Sequence, residues 1–388
     1  MKRLRIGVVY GGRSSEHEVS LASAASIFAH LDRERYDPVP IRIERDGRWS
    51  LVDRPPVIAS AAEAIEAARG DRARPLRAAR EVHLVASPGE ETMLTLDRNL
   101  DGDGRDTADR AIISALSLDV IFPIVHGPYG EDGTLQGLLE LANVPYVGAG
   151  VLTAAVGMDK AVMKVLFAAA GLPIVRHEVV YRRAWRADPA AVATRLGKQL
   201  AFPMFVKPAN LGSSVGISRV AAPDALGPAI DVAAQFDRKV VVEEAVAPCR
   251  EIECAVLGND EPEASLPGEI IPAGDFYDYE AKYLDDRSQT VVPASLPATR
   301  RTEIQRLAIA AFRAIDGTGM ARVDFLLDTE DDRVFVNEIN THPGFTTISM
   351  FAKMWDASGV SYPELLDRLI SLAIERHQEK QQTRTSLG

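Results

Sequence analysis

The chain has 388 residues, of which 46% are hydrophobic and 26% charged, a composition typical of a globular protein with two or three domains. The net charge of −11 argues against sequence-independent binding to nucleic acid or to an anionic membrane, which needs a basic surface. The 2 cysteines, Cys249 and Cys254, are too few for a disulfide framework, and no apolar run approaches a membrane span of about 20 residues. We therefore expect a cytoplasmic enzyme that acts on small molecules.

The N-terminal part of the sequence has the pattern of an α/β domain. Residues 6–10 are apolar on both faces, as in a buried parallel strand, and two glycines separate them from a helix predicted over 18–31. A second such strand is predicted over 119–125, followed by a helix over 133–141. These elements predict a parallel sheet covered by helices.

Residues 52–110 are rich in Ala, Arg, Asp and Pro and show no sustained strand pattern. We expect one helix, a strand near 82–86 and exposed loops, with a solvated turn at 101–104. A single long helix is predicted next, over 151–170.

The remaining residues predict a mixture of strands and helices. Residues 322–327 and 333–340 are expected to pair as a hairpin around the turn at 328–332. The other predicted elements are strands over 203–208, 217–220, 240–243 and 252–257 and helices over 300–314 and 362–377.

Residues 212–216 fit G-x-S-x-G, the nucleophile elbow of serine hydrolases. An elbow lies between a strand and a helix, whereas residues 217–220 alternate like a strand. A glycine-rich loop between two strands instead directs backbone N–H groups at an anion. The serine hydrolase is kept as an alternative from a different class of enzyme.

The predicted hairpin carries the residues with the clearest chemistry. Alternate residues of a strand share a face, so Arg322 lies beside Asp324, and Glu338 beside Asn340. Two carboxylates and an amide oxygen suit Mg²⁺ with a bound polyphosphate, and Arg322 would stabilise charge on a transferring phosphoryl group. The alternative interpretation is a surface hairpin with alternating charges.

Four further residues suit a bound nucleotide. Lys207 ends a strand just before the Gly/Ser loop, and Lys160 lies near a helix start, so both suit phosphate contacts. Glu243 and Glu244 end a strand where an adenine edge and a ribose would lie. Taken alone, each lysine is better explained as an ordinary surface side chain, and each glutamate is a weak indication.

Several long motifs resemble the D-alanine–D-alanine ligase family, in the family's order and over about residues 4–375. They are GGRSSEHEVS at 11–20, HG at 126–127 with GEDGTLQG at 130–137, KP at 207–208, GSSVG at 212–216, FYDYEAKY at 276–283 and NEINT at 337–341. The resemblance implies the ATP-grasp fold: an N-terminal α/β domain with a parallel sheet, and two lobes that hold ATP. We expect domains over 1–150, 151–240 and 241–388.

The resemblance also implies a reaction and its ligands. ATP phosphorylates the carboxylate of one D-alanine, and the amine of a second attacks the acyl phosphate, giving D-alanyl-D-alanine, ADP and phosphate. Two Mg²⁺ or Mn²⁺ ions are implied, a monovalent-cation requirement is left open, and a homodimer through the N-terminal domain is expected. The alternatives are a D-alanine–D-lactate ligase and a non-catalytic nucleotide-binding protein.

The roles implied by similarity fall into four groups. Phosphates, ribose and adenine would contact Lys160, Lys207, Ser214, Glu243, Glu244, Val246, Glu251 and Lys282. The metal ligands would be Asp324, Glu338 and Asn340. The D-alanine substrates would contact Glu16, His126, Ser213, Arg322, Gly344 and Ser349. Catalysis would depend on Glu16, Ser213, Tyr283 and Arg322.

Residues 274–286 are aromatic and charged, and we expect them to close over ATP and exclude water, which would otherwise hydrolyse the acyl phosphate. Lys282 and Tyr283 belong to this lid, and Tyr283 would complete a hydrogen-bonded triad with Glu16 and Ser213. The pair Lys282-Tyr283 favours the dipeptide over the ester, because ester-forming relatives diverge in this lid.

Overall fold

A computed structural model describes residues 2–58, 60–70, 80–86, 93–100, 106–272, 289–346 and 348–384. The strands of these ranges form three sheets, which follow one another along the chain. The predicted lid, with Lys282 and Tyr283, and the predicted turn at 101–104 lie outside the described residues.

The first sheet has seven strands in the order β6-β5-β4-β3-β2-β1-β7. Its parallel part is formed by β1 (Leu4–Gly11), β2 (Tyr36–Ile43) and β7 (Val120–Ile124), with β1 in the middle. The parallel strands are covered by α1 (His17–His30) and α3 (Thr134–Leu141). The predicted α/β domain is therefore confirmed for this part of the sheet.

The segment predicted to be mostly loop extends the same sheet with antiparallel strands. Its elements are β3 (Trp49–Leu51), α2 (Ala61–Gly70), β4 (Arg80–Leu84), β5 (Met93–Leu100) and β6 (Asp106–Leu116). The expectation of exposed loops was thus wrong for β5 and β6. Only Met93 and Thr95 are buried among the first four residues of β5, so the strand lacks a strongly apolar face and gave a weak signal.

The helix predicted over 151–170 is two helices, α4 (Val151–Met158) and α5 (Lys160–Ala169). Asp159 between them has extended backbone angles, and its carboxylate accepts hydrogen bonds from the N–H groups of Ala161 and Val162, each at 3.2 Å. The aspartate therefore caps a new helix, and Lys160 lies at its first position.

The second sheet is antiparallel, with the strand order β10-β9-β11-β8. It comprises β8 (His177–Tyr181), β9 (Met204–Pro208), β10 (Ser218–Val220) and β11 (Lys239–Glu244), with helices α6 (Arg182–Ala187), α7 (Pro189–Gln199) and α8 (Leu226–Phe236). Residues 212–216 join β9 to β10, so a strand and not a helix follows them. The nucleophile-elbow interpretation was therefore wrong.

The third sheet has six strands. They are β12 (Cys249–Gly258), β13 (Glu263–Ala264), β14 (Gly268–Ile271), β15 (Gln289–Val291), β16 (Gly319–Asp328) and β17 (Val334–Asn340), with α9 (Ala298–Ala314) packed on one face. The predicted hairpin is β16–β17, in which Arg322 lies opposite Asn340, and Asp324 opposite Glu338. Directly opposed residues of an antiparallel pair share a face, so these four side chains lie together as expected.

The last two helices are α10 (Met350–Ala357), which packs on β12 of the third sheet, and α11 (Tyr362–Gln381), which packs on β7 of the first sheet and β16 of the third. Leu365 and Leu369 of α11 share one core with Tyr10, Phe28 and Phe122 of the N-terminal part. Within the described ranges, no helix combines the length and apolarity that a membrane span requires.

Candidate active site

Two cavities adjoin where the three sheets meet, and Glu253, Ile270 and Glu338 line both. The first, of about 340 Å³, contains Glu16, His126, Lys160, Ser213, Arg322, Asn340, Gly344 and Ser349 among its lining residues. The second, of about 540 Å³, contains Lys207, Ser214, Glu243, Glu244, Val246, Glu251 and Asp324. The structure thus brings together every predicted site residue within the described ranges.

The β16–β17 hairpin forms the wall between the cavities. Arg322 donates two hydrogen bonds to Asp324, from Nε to Oδ1 and from Nη2 to Oδ2, both 2.7 Å long. Its Nε also lies 3.2 Å from Oε1 of Glu253, a residue of β12 that the sequence analysis did not single out. Burial alone would lower the pKa of Arg322, but the two carboxylates outweigh it and raise the pKa well above its usual range.

Two lysines reach this wall from different elements. Lys160, the first residue of α5, places its Nζ 3.3 Å from Oε2 of Glu338 and donates to the carbonyl of Leu211 at 3.0 Å. Lys207, on β9, donates to Oε2 of Glu243 at 2.7 Å. Both ammonium groups are buried, so each is positioned by its partners before any phosphate arrives.

Lys164 is a functional candidate that the sequence analysis missed. It is 1% exposed, its Nζ lies 3.0 Å from Oε1 of Glu243, and it donates to the carbonyl of Asn337 at 3.3 Å. Burial would raise the pKa of Glu243, but Lys164 and Lys207 outweigh it and lower the pKa to about 2. Two buried lysines thus share one carboxylate, and burial lowers the pKa of Lys164.

The oxygen ligands on the hairpin fit a hard divalent cation. Asp324, Glu338 and Asn340 supply two carboxylates and an amide. A Mg²⁺ ion bound with a nucleotide is coordinated by few protein oxygens, and phosphate and water oxygens complete its coordination shell. No group of three or more His, Cys, Asp and Glu side chains in the described ranges forms a self-contained metal site. The donor set therefore suits a metal bound together with a polyphosphate.

The opposite wall of the first cavity comes from the N-terminal part. Glu16 directly precedes α1, and the Ser213 hydroxyl donates to its Oε1, so two members of the predicted triad are in contact. Ser213 and Ser214 have φ values of 52° and 57°, a left-handed turn that directs the loop toward Glu16.

His126 lies at the end of the cavity within a buried polar network. Its Nδ1 is 3.2 Å from Oε1 of Glu131, and its Nε2 is 3.2 Å from Oγ of Ser23. Burial lowers the pKa of the His126 imidazole, and burial raises the pKa of the Glu131 carboxyl. Neither Glu131 nor Ser23 was singled out from the sequence.

The segment between β17 and α10 forms a further wall of the first cavity. Gly344 lies beside Ser349: a Cβ atom added to Gly344 would be 3.1 Å from the Ser349 Oγ. Ser349 in turn shares a 2.8 Å hydrogen bond with the Thr346 hydroxyl. The amide of Phe345 donates to Ser23 at 3.3 Å, and the carbonyl of Phe345 accepts from Tyr362 at 2.6 Å.

Comparison with known proteins agrees with this geometry. The family model described as "D-ala D-ala ligase N-terminus" matches residues 5–149, and "D-ala D-ala ligase C-terminus" matches residues 166–371. The D-alanine–D-alanine ligases of Natranaerobius thermophilus and Heliobacterium modesticaldum are 43% and 46% identical to this chain. The matches cover 100% of both chains in the first case, and 99% of this chain and 98% of the relative in the second.

Solved structures give the same result. The D-alanine–D-alanine ligase of Coxiella burnetii has a TM-score of 0.79 at 39% identity, covering 98% of this chain and 97% of that one. The VanG D-Ala:D-Ser ligase of Enterococcus faecalis has a TM-score of 0.77 at 31% identity, covering 96% and 100%. The fold is that of an ATP-grasp ligase. Within that class, the chain belongs to the D-alanine–D-alanine ligase family.

Proposed function

We propose that this enzyme uses ATP to join two D-alanine molecules into D-alanyl-D-alanine, a precursor of peptidoglycan. A carboxylate oxygen of the first D-alanine attacks the γ-phosphorus, and ADP leaves. The amine of the second D-alanine then attacks the carbonyl carbon of the acyl phosphate and loses a proton, and phosphate leaves. The observation that carries this proposal is that Glu16 and Ser213 share one cavity with Arg322, Glu338 and Asn340.

The second cavity is the proposed nucleotide site. Lys207 lines it with a buried ammonium, and Lys160 points at Glu338 where the cavities meet, so both can contact phosphate oxygens. Glu244, Val246 and Glu251 line the part assigned to adenine and ribose. Asp324, Glu251 and Glu338 line the same cavity, so the proposed metal ions and the lysines together would balance the charge of the bound phosphates.

Two Mg²⁺ or Mn²⁺ ions would be held by Asp324, Glu338 and Asn340. When bound, the ions would neutralise charge on the phosphates during transfer. Asp324 is hydrogen-bonded to Arg322, so the same arginine orients a proposed metal ligand and lines the cavity in which the acyl group reacts.

The first cavity has an arrangement suited to two amino acids. Glu16 can accept hydrogen bonds from the ammonium group of the first D-alanine. The Ser213 hydroxyl donates to the Glu16 carboxylate and so fixes its orientation. Arg322 and the backbone at Gly344 face the place where the tetrahedral oxyanion would form. Ser349 immediately precedes α10, so a substrate carboxylate there would meet the positive end of that helix.

The test is phosphate release from ATP with D-alanine, with L-alanine, and with D-alanine plus D-lactate or D-serine, with the products identified by mass. We expect release that depends on D-alanine, and D-alanyl-D-alanine as the main product. An enzyme that releases no phosphate with D-alanine would contradict the proposal. A main product that contains lactate or serine would show that D-lactate or D-serine, and not D-alanine, is the second substrate.

Glu338→Gln is the matched variant for this assay. It removes one carboxylate charge between Lys160 and the proposed metal site while keeping the side-chain shape. We expect turnover to fall below detection and the circular dichroism spectrum to stay unchanged. Retained turnover would remove Glu338 from the proposed metal ligands.

The same proposal includes a homodimer and a cytoplasmic location. The homodimer is carried over from the family resemblance, which implies an interface through the N-terminal domain. The three sheets support a division near residues 150 and 240, with α11 packed back on the first part. Sedimentation equilibrium tests the dimer directly.

A further inference from the structure

The hydroxyl of Ser23 joins two parts of the site that are far apart in sequence. Ser23 is on α1 and is 0% exposed. Its Oγ is 3.2 Å from Nε2 of His126 and 3.3 Å from the backbone nitrogen of Phe345, which donates to it. One buried hydroxyl therefore contacts both the imidazole at the end of the first cavity and the segment that contains Gly344.

The partners of this hydroxyl define a direction for the hydrogen bonds. A neutral imidazole carries one N–H, and the Glu131 carboxylate beside Nδ1 can only accept when it is ionised. We infer the direction from the ionised form of Glu131: Nδ1 then carries the proton, and Nε2 accepts from the Ser23 hydroxyl. The Ser23 oxygen then accepts from the Phe345 amide, so one chain of hydrogen bonds runs from Phe345 to Glu131.

The far end of this chain is held rigidly. The carbonyl of Phe345 accepts from the Tyr362 hydroxyl on α11, and the Phe345 ring is 0% exposed. That ring packs against Phe122 and Phe351, with centroids 6.0 and 5.5 Å away. Because the Phe345 amide is engaged by Ser23, the backbone donor that this segment offers to an oxyanion is the adjacent amide of Gly344.

We propose that Ser23 is a positioning residue that fixes both the His126 ring and the Gly344–Phe345 backbone for ligation. It touches no substrate and acts through these two partners. The inference rests on the proposed function for its kinetic consequence, whereas the direction of the hydrogen bonds can be tested without catalysis.

Ser23→Ala is the first test, by steady-state kinetics of phosphate release. We expect kcat to fall about tenfold and the KM for D-alanine to rise, because backbone donors and substrate contacts lose their alignment. The KM for ATP should stay within about twofold, since Ser23 does not line the second cavity.

Ser265→Ala is the matched control. Ser265 is also 0% exposed, accepts from the amide of Ala255 at 3.0 Å and donates to the carbonyl of Leu266 at 3.0 Å. Neither of these partners lines a cavity, whereas His126, the partner of Ser23, lines the first one. It should lose a comparable amount of stability while keeping kcat and both KM values. Equal kinetics for the two variants would show that Ser23 has only a structural role.

The second test is nitrogen-15 NMR of the histidine rings in the ligand-free protein at pH 7, with His126 assigned from the spectrum of His126→Gln. We expect a protonated Nδ1 in the unmodified protein and in Ser23→Ala, because Glu131 still accepts from it, and a changed nitrogen-15 shift of Nε2 in Ser23→Ala, because that nitrogen loses its hydrogen bond. A protonated Nε2 in the unmodified protein would reverse the direction of the chain and overturn the argument.

Glu131→Leu tests the chain from its other end and covers the case in which Ser23→Ala does not fold. Leucine offers no acceptor to Nδ1, so we expect the ring proton to move to Nε2, where the Ser23 oxygen can accept it, and kcat to fall. An unchanged ring proton or an unchanged kcat would contradict the inference. If the unmodified enzyme shows no phosphate release with D-alanine, the proposed function fails, and the NMR result still decides the hydrogen-bond chain.

Discussion

Replacing Glu243 by glutamine should remove a large part of the stability of the second sheet. The folded protein lowers the pKa of Glu243 from 4.5 to about 2, which corresponds to about 3 kcal/mol of stability at neutral pH. This agrees with the range of about 3–5 kcal/mol for removing one partner of a buried ion pair. Lys164 and Lys207 would then face each other with no carboxylate between them.

The pH dependence follows from the sign of this pKa shift. A lowered carboxyl pKa stabilises the folded protein fully above about pH 4.5, and the contribution is lost as the pH falls toward 2. Urea unfolding without ATP can be followed by circular dichroism. The free energy of unfolding of Glu243→Gln should be about 3 kcal/mol lower than that of the unmodified protein at pH 7, and this difference should become smaller below pH 4.5.

Glu244→Gln is the matched control, one residue along the same strand. Its partner Arg176, at 3.1 Å, has a side chain that is 70% exposed, so losing this ion pair should cost less than about 1 kcal/mol. If Glu243→Gln and Glu244→Gln unfold at the same urea concentration at pH 7, the reasoning about the buried lysine pair is refuted.

Three further predictions concern other contacts. Arg322→Lys loses the two-bond contact with Asp324, and kcat for phosphate release should fall about 100-fold; a change within threefold would contradict this role. Ser213→Ala removes the hydroxyl bound to Glu16, so the KM for D-alanine should rise about tenfold with the KM for ATP unchanged, as steady-state kinetics would show. Arg376→Met removes the charged donor of α11, and urea unfolding should show a loss of about 2 kcal/mol with unaltered KM values; normal stability would refute it.

The sequence predicted the hairpin well because its signal is local. Arg322, Asp324, Glu338 and Asn340 alternate with buried apolar residues, and the period of two alone determines which side chains share a face. The parallel strands were equally clear, since neighbouring residues such as Val8 and Val9 lie on opposite faces of β1 and are both buried.

Other features gave no clear signal in the sequence. β5 and β6 pair with each other at the edge of the sheet, where few apolar side chains are needed, so their composition resembled that of loops. The break at Asp159 depends on a capping hydrogen bond that helix periodicity does not reveal. Lys164 and Ser23 became recognisable only when the fold placed Glu243 and His126 beside them.

The packing of α11 against the first sheet has a consequence for the order of synthesis. The core around Tyr10 and Phe122 includes side chains from the last helix, and Arg376 of that helix donates to the carbonyl of Tyr146 at 2.8 Å. A chain still on the ribosome can form β1, α1 and β7, yet it exposes this apolar surface until Tyr362 and the residues after it have been released. The segment with Gly344 and Phe345 is held by the first and the last helix together, so ligation activity should appear only in chains that have been completed through α11.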